Sequence, residues 1–247
     1  MKSYRWPFRF VLFLGVISFC SIQKGYSQNP QVWIDLFGYK EFGKSWEYEA
    51  NPGYSKLIAP QGWTDVYFCN TASWQVNKWY MAEGSLELHY TFDPADQNSI
   101  EVRPWLGQKI IYPEFIKAIH LDKPFFYVRL DQRFLWYPES DASETKTRFR
   151  PRIGGKFLLN NTSLKSKTFY IPWYIESFIN LNGEASERYA SRSRKFVGLG
   201  YVFNPKWRLE IDYLSQHARN TFEDKFVKTD NIIWLQLKYY WINGTTE

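Results

Sequence analysis

Serine and histidine are the residues of this sequence that could form a catalytic pair for hydrolysis. The chain has three histidines; Ser85 precedes His89 by four residues, and Ser215 precedes His217 by two. In an extended strand these spacings correspond to about 13 Å and about 7 Å, which is beyond hydrogen-bond reach unless a neighbouring strand supplies the partner. We keep an outer-membrane lipid hydrolase, which would be phospholipase-like with a Ser-His pair on the outer wall of a barrel, as the alternative function. Because catalysis is not indicated by these spacings, no catalytic residue is predicted.

The spacing of residues gives no indication of a site for a metal, a cofactor or nucleic acid. No His or Cys cluster has the spacing of metal ligands, and no glycine-rich phosphate loop follows a strand. The basic residues form no patch that would indicate nucleic acid. We therefore expect no metal, no cofactor and no nucleic-acid partner.

Charged residues that alternate with apolar ones are the strongest chemical pattern in the chain. Between Phe125 and Ile153, arginines and an aspartate occupy one set of alternate positions and large apolar residues occupy the other. The same alternation recurs in other segments, which predicts one inward network of charges: Glu83, Glu87, Glu101, Arg103, Arg129, Asp131, Arg133, Arg148, Arg150, Arg152, Glu176, Arg208, Glu210 and Asp212. Seven acids would face seven arginines in this list, so we expect matched arginine-carboxylate pairs.

This network has two interpretations. Barrels of about eight strands are already filled by side chains, so the charges would plug and rigidify a small barrel. Alternatively they line a narrow path for an anionic solute, with the ladder of Arg148, Arg150 and Arg152 as its selective element.

The elements that position these charges are long amphipathic strands. An apolar face opposite a charged face is typical of a transmembrane β-barrel, in which apolar side chains contact lipid and polar ones line the lumen. Aromatic residues make up 20% of the chain and the mean hydropathy is -0.46, which fits alternation better than apolar helices. The predicted fold is an all-β, antiparallel transmembrane barrel of about 10 to 12 strands with a lumen filled by charged side chains. A soluble periplasmic β-sandwich is the alternative fold.

The strand count depends on the N-terminal half. Alternation indicates eleven strands, with the segment from Trp46 to Lys56 the weakest because Pro52 interrupts it. If both termini were periplasmic the number would be even, which favours twelve strands, with ten as the alternative. Three short junctions that end in Trp46, Trp79 and Trp207 are predicted to lie on the periplasmic side. Three longer connections are predicted outside: Asp141 to Lys146, Asn182 to Ser191 and His217 to Lys228.

The first 27 residues have the pattern of an export signal. Basic residues precede an apolar run from Phe10 to Phe19, and small residues before Gln28 offer a cleavage site near Ser27. Cys20 as a lipoprotein cysteine is disfavoured because the bulky Phe19 precedes it. Cleavage removes four basic residues and no acid, which lowers the formal charge from +6 to +2. Residues 28–247 would then form one barrel domain with a single cysteine, Cys69, and no disulfide within the chain.

Several segments together resemble the family catalogued as domain of unknown function 2490. The resemblance covers about Gln31 to Trp241 and depends on the order of six short motifs: IEVRPW (100–105), FYVRLDQRF (126–134), RFRPR (148–152), PWYIESF (172–178), RKFVGLGY (194–201) and LEIDYLSQ (209–216). This resemblance implies a signal-bearing β-barrel of a Gram-negative outer membrane and implies no activity. Its expected partners are outer-membrane lipid and the machinery that inserts barrels, and the oligomeric state stays open. The expected role is structural, or that of a narrow, porin-like solute channel.

Overall fold

The computed structural model describes residues 29–112, 116–182, 191–220 and 225–242. The predicted signal peptide, residues 1–27, lies outside the described residues. A short 3-10 segment, Lys117–Ile119, is the helical element of the described part, in which no helix is long and apolar enough to cross a membrane. The other elements are eleven strands: β1 (Asn29–Phe42), β2 (Trp46–Leu57), β3 (Thr64–Asn77), β4 (Tyr80–Phe92), β5 (Ser99–Ile111), β6 (Leu121–Tyr137), β7 (Ala142–Leu158), β8 (Thr168–Asn180), β9 (Ser191–Val202), β10 (Trp207–Asn220) and β11 (Lys225–Trp241).

These strands close into one barrel in which each strand pairs with its neighbours in sequence and β1 pairs with β11. All consecutive pairs are antiparallel, whereas β1 and β11 are parallel, in a register from Asn29↔Asp230 to Lys40↔Trp241. The predicted all-β barrel of 10 to 12 strands is confirmed. The parity argument that favoured twelve is wrong, because a parallel closing pair lets an odd number of strands form a closed sheet. The start of β1 and the end of β11 therefore lie at opposite ends of the barrel.

Side-chain alternation follows from the pleat of each strand, since successive residues point to opposite faces. On β6, Phe126 is 47% exposed and Tyr127 is 4% exposed. The outer surface is apolar on every strand, and the buried positions include many charged and amide side chains. Inside the barrel, apolar clusters are small: one joins Phe196, Leu214 and Ile232. The packed interior is thus mainly polar and aromatic.

The segment around Pro52 forms a strand despite the proline. Pro52 pairs with Phe68 on β3, and its ring lacks the N–H that could bond to β1. The Asn51 side-chain amide donates to the backbone oxygen of Leu36 at 3.1 Å. A side chain therefore supplies the bond between β1 and β2 at this point, and the strand continues.

The two ends of the barrel differ in their connections. The tight turns at 43–45, 78–79 and 203–206 lie at one end, which we call the tight-turn end, together with the end of β11. The described parts of the segments predicted as outer connections lie at the opposite end, where parts of them belong to strands β7, β9, β10 and β11. Residues 183–190 and 221–224 of these segments lie outside the described residues. The side of a membrane that each end faces stays a prediction.

Aromatic side chains concentrate on the outer surface near the tight-turn end. Trp46 stacks on Trp74 with ring centroids 5.9 Å apart, and Trp79 meets Tyr112 edge to face at 5.6 Å. Trp207 also lies here, directly after a tight turn. We call these rings the aromatic girdle, because they are arranged as in membrane barrels, where such rings lie at the level of the lipid headgroups.

Candidate functional site

The alternation places the charged residues predicted from the sequence on the lumen side of their strands. They come from six strands, β4 to β8 and β10, and their side chains are buried or partly buried. Those that line the main internal cavity are Glu83, Glu87, Glu101, Arg103, Arg129, Arg133, Arg150, Arg152 and Glu210. The others, Asp131, Arg148, Glu176, Arg208 and Asp212, lie on the same faces behind or beside them.

Two glutamates organise the part of the network on β4 to β6. Glu87 binds Arg103 at 2.7 Å and Arg129 at 2.9 Å. Glu101 accepts hydrogen bonds from Arg103 Nε at 2.6 Å and from Arg133 Nε and Nη2, both at 2.6 Å. The contact between Arg133 and Glu101 is therefore bidentate, which is the strongest geometry of this pair.

Two further acids organise the part on β6 to β8. Asp131 accepts from Arg148 Nη2 at 2.8 Å and from Arg150 Nη1 at 3.3 Å. One oxygen of Glu176, Oε1, accepts four bonds: from Arg150 at 3.1 and 2.8 Å, and from Arg152 at 3.2 and 2.8 Å. All three arginines of the ladder on β7 are thus bound to carboxylates.

Arg129 joins the two parts, because its Nε donates to Asp131 while its Nη2 contacts Glu87. The result is one arginine-carboxylate network that crosses five strands, β4 to β8. It contains more cations than anions: Glu87, Glu101, Asp131 and Glu176 against Arg103, Arg129, Arg133, Arg148, Arg150 and Arg152.

The remaining predicted acids do not pair with arginine. Glu83 binds Lys109 at 2.9 Å. Glu210 accepts from Lys238 at 2.6 Å and from the hydroxyl of Tyr170 at 2.6 Å. The expectation of matched arginine-carboxylate pairs is wrong for these acids, because each has a lysine diagonally across the neighbouring strand, and Glu210 also has the phenol of Tyr170 within reach.

Asp212 and Arg208 also differ from that expectation. Asp212 accepts from Gln236 at 2.6 Å through Oδ2, whereas its Oδ1 has no hydrogen-bond partner in the described part. Arg208 stacks on the ring of Tyr240, 4.2 Å from the centroid, and donates to its hydroxyl at 3.2 Å. Among the described residues, no carboxylate lies within 4.0 Å of the Arg208 guanidinium.

An internal cavity of about 720 Å³ lies between the walls of the barrel. Its lining includes Trp63 and Asp93 near one end of the barrel, and Glu47, Met81 and Lys109 near the other. The arginine network forms one side of this cavity without filling it. The lumen is therefore a partly occupied, charged space that runs along much of the barrel.

Sequence analysis did not include several residues that line this cavity. Arg194 on β9 and Lys156 on β7 are cations with no carboxylate within 4.0 Å in the described part of the chain. Asp35 on β1 accepts hydrogen bonds from Tyr67 and from Trp234 Nε1, the latter at 2.9 Å. The alternation around Asp35 and Arg194 was visible in the sequence, but the facing of β1 was ambiguous and Arg194 had no acid at a matching position nearby.

The serine and histidine pairs considered for hydrolysis make other contacts. His89 Nδ1 lies 3.0 Å from Asp65 and its Nε2 lies 3.4 Å from Glu87, whereas Ser85 bonds to Thr71. No hydrogen bond joins Ser215 to His217 among the described residues. The described residues also contain no group of three His, Cys, Asp or Glu that could hold a metal ion.

Comparison with known proteins gives one family. The model of the family described as "Protein of unknown function (DUF2490)" matches residues 30–227. No curated protein matches the chain.

Proposed function

The chain belongs to the DUF2490 family of proteins of unknown function, and we propose that it is an integral β-barrel of a Gram-negative outer membrane with a narrow, charged path for small anionic solutes. The observation that carries the proposal is the charged cavity inside a barrel whose outer wall is apolar. Closure satisfies the backbone hydrogen bonds that an open sheet edge would leave exposed to lipid.

The outer wall supports the membrane part of the proposal. Large apolar side chains exposed on the outside occur on every strand, for example Leu36, Leu106, Ile153 and Ile211, each more than half exposed. A soluble protein rarely leaves so continuous an apolar surface in water. With the aromatic girdle at the tight-turn end, this surface fits a barrel that lipid surrounds. The partners would be outer-membrane lipid and the barrel-insertion machinery.

The lumen supports the solute path. Charged and hydrogen-bonding side chains line the cavity, and cations exceed anions in the arginine network. The cavity lining as a whole has nine acids and nine lysines or arginines, so the excess of cations lies on the side of the arginine network, and that side would favour anions over cations. A purely structural barrel, in which the network plugs the lumen and holds five strands together, would use the same residues to exclude solutes.

Planar-bilayer recording separates these two roles. The mature chain, from Gln28 onward, is folded in detergent, checked by heat-modifiable gel migration and reconstituted. A solute path gives defined current steps with anion preference, and Arg150→Ala changes the step size or the preference because Arg150 lines the cavity. Silence from protein that is folded would refute the path and leave a structural barrel.

Export is tested separately. We expect the mature protein in the outer-membrane fraction, with an N-terminus near Gln28 by mass spectrometry. A chain that keeps residues 1–27, or that fractionates with soluble periplasmic proteins, would contradict the proposed location.

A further inference from the structure

We propose that the lumen contains a binding site for a small carboxylate that carries a flat ring, with Arg194 as the group that holds the carboxylate. The site deepens the proposed function, on which it rests only in that the solute must reach the lumen from water. It uses residues outside the arginine-carboxylate network, so it is a different part of the cavity from the ladder on β7.

Arg194 is a lumen cation with free hydrogen-bonding capacity. Its Nε donates to Gln216 Oε1 at 2.7 Å, and its guanidinium lies over the rings of Phe178 and Trp33, with the Cζ atom 4.7 and 5.3 Å from their centroids. In the described part of the chain its two terminal nitrogens have no hydrogen-bond partner and no carboxylate lies within 4.0 Å. These two nitrogens form the fork that binds a carboxylate in a bidentate way.

A chain of hydrogen bonds fixes the orientation of Arg194. Gln216, which accepts from Arg194, donates to Asp230 at 2.6 Å, and Gln31 donates to the other oxygen of Asp230 at 2.8 Å. Trp33 in turn donates to Gln31 at 2.9 Å. The chain runs from β9 across β10 and β11 to β1, so it holds both the guanidinium and the Trp33 ring across the closing pair of strands.

Aromatic rings continue from this point along the cavity wall. Tyr174 stacks on Phe196 with centroids 4.3 Å apart, Phe196 meets Trp234 at 6.0 Å, and Trp234 meets Trp33 at 5.5 Å. These four rings, which we call the aromatic column, all line the cavity. Ring faces and edges beside a guanidinium suit a ligand that is anionic at one end and flat and apolar at the other.

The surrounding charges favour an anion. Glu176 is paired with Arg194 across β8 and β9, but its Oε1 accepts hydrogen bonds from Arg150 and Arg152 instead. Arg150, Arg152 and Arg194 thus place more positive than negative charge around Glu176, whose Oε2 has no hydrogen-bond partner in the described part, while Asp35 is bound to Trp234 of the aromatic column. A ligand carboxylate would supply the missing anion, whereas a cationic ligand would meet repulsion.

The test is binding of benzoate to the folded mature chain in detergent micelles, measured by titration calorimetry. Acetate, which lacks the ring, and benzyl alcohol, which lacks the charge, are the comparison ligands. We expect both to bind at least about tenfold more weakly than benzoate, since each loses one of the two contacts. Equal binding of benzyl alcohol and benzoate would overturn the role of the cation, because partition into the micelle would then explain the signal.

Variants assign the site. Arg194→Gln should weaken benzoate binding at least about tenfold, while Arg208→Gln, which changes a lumen cation outside the cavity lining, should leave it unchanged. Arg194→Lys keeps the charge without the planar fork and should lose several-fold, so it also decides the matter if the glutamine variant does not fold. Unchanged affinity in folded Arg194→Gln or Arg194→Lys would overturn the inference.

The two proposals fail in different ways. Benzoate binding without bilayer current would refute the solute path and leave the site. Current that benzoate neither blocks nor alters, with no calorimetric binding, would refute the site and leave the path.

Discussion

Glu176→Gln is the substitution that most directly measures what the arginine-carboxylate network contributes. Glu176 is 1% exposed and its Oε1 accepts four N–H bonds from Arg150 and Arg152. The substitution keeps the size of the side chain and an oxygen that can accept from the arginines, but it removes the negative charge that compensates two buried cations; the new NH2 group takes the position of Oε2, which has no hydrogen-bond partner in the described part. Breaking a buried ion pair from one side costs about 3–5 kcal/mol, because the remaining charge is left without compensation. We therefore expect a loss of that size in the free energy of unfolding.

The assay is urea unfolding of the folded barrel in micelles, followed by heat-modifiable migration and tryptophan fluorescence. Glu144→Gln is the matched control, because Glu144 binds Lys146 at 2.7 Å on the same hairpin but both side chains are partly exposed. An exposed pair contributes under about 1 kcal/mol, so this variant should unfold close to the wild type. If the two variants lose the same stability, the buried network does not hold the barrel together, and the reasoning is refuted.

Two further substitutions test the packing and the charges of the opposite wall in the same unfolding assay. Gly200→Ala would place a Cβ closer than 3.0 Å to ring atoms of Tyr170, so we expect a loss of about 1–3 kcal/mol, whereas Gly38→Ala, with its nearest contact at 3.8 Å, should change little. Equal stability of the two alanine variants would contradict this account. Asp212→Asn should leave stability unchanged or raise it by about 1 kcal/mol, because it removes a buried charge whose described partner is the neutral amide of Gln236. A loss as large as that of Glu176→Gln would show that Asp212 has a charged partner.

The faces of the strands were predictable from sequence because they depend on local alternation. Phe126 and Tyr127 are consecutive strand residues and so point to opposite faces of the sheet, independently of the other strands, and the same is true of Arg150 and Pro151. Even the segment with Pro52 could be read as a strand, although the bond that replaces the missing donor depends on a side chain of its neighbour. Local pattern thus determined which residues face the lumen.

Partner choice inside the lumen was not predictable, because it depends on register across strands that are distant in sequence. Glu210 lies two residues from Arg208 in sequence but binds Lys238, which the register of β10 with β11 places opposite Arg208. The parallel pairing of β1 with β11 likewise depends on the stagger of the whole barrel. The sequence of neither strand specifies that pairing. The argument that the number of strands must be even therefore failed, because it depended on how the barrel closes.

The distribution of charge separates the lumen residues that hold the strands together from those that could contact a solute. The arginine network connects β4 to β8, and every arginine of the ladder on β7 is held by Asp131 or Glu176. The ladder therefore contributes to rigidity, while Arg150 and Arg152 also line the cavity. Among the described residues that line the cavity, Arg194 and Lys156 lie outside that network and have no carboxylate within 4.0 Å, so they keep donors for a solute. Lys156 pairs with Pro172, four residues from the Glu176 that faces Arg194, so the two cations are separated by about 13 Å along the strands. An anion bound at Arg194 would therefore have a second cation further along the cavity. If Lys156→Gln loses anion preference in bilayers but still binds benzoate at Arg194, then passage and binding depend on different residues.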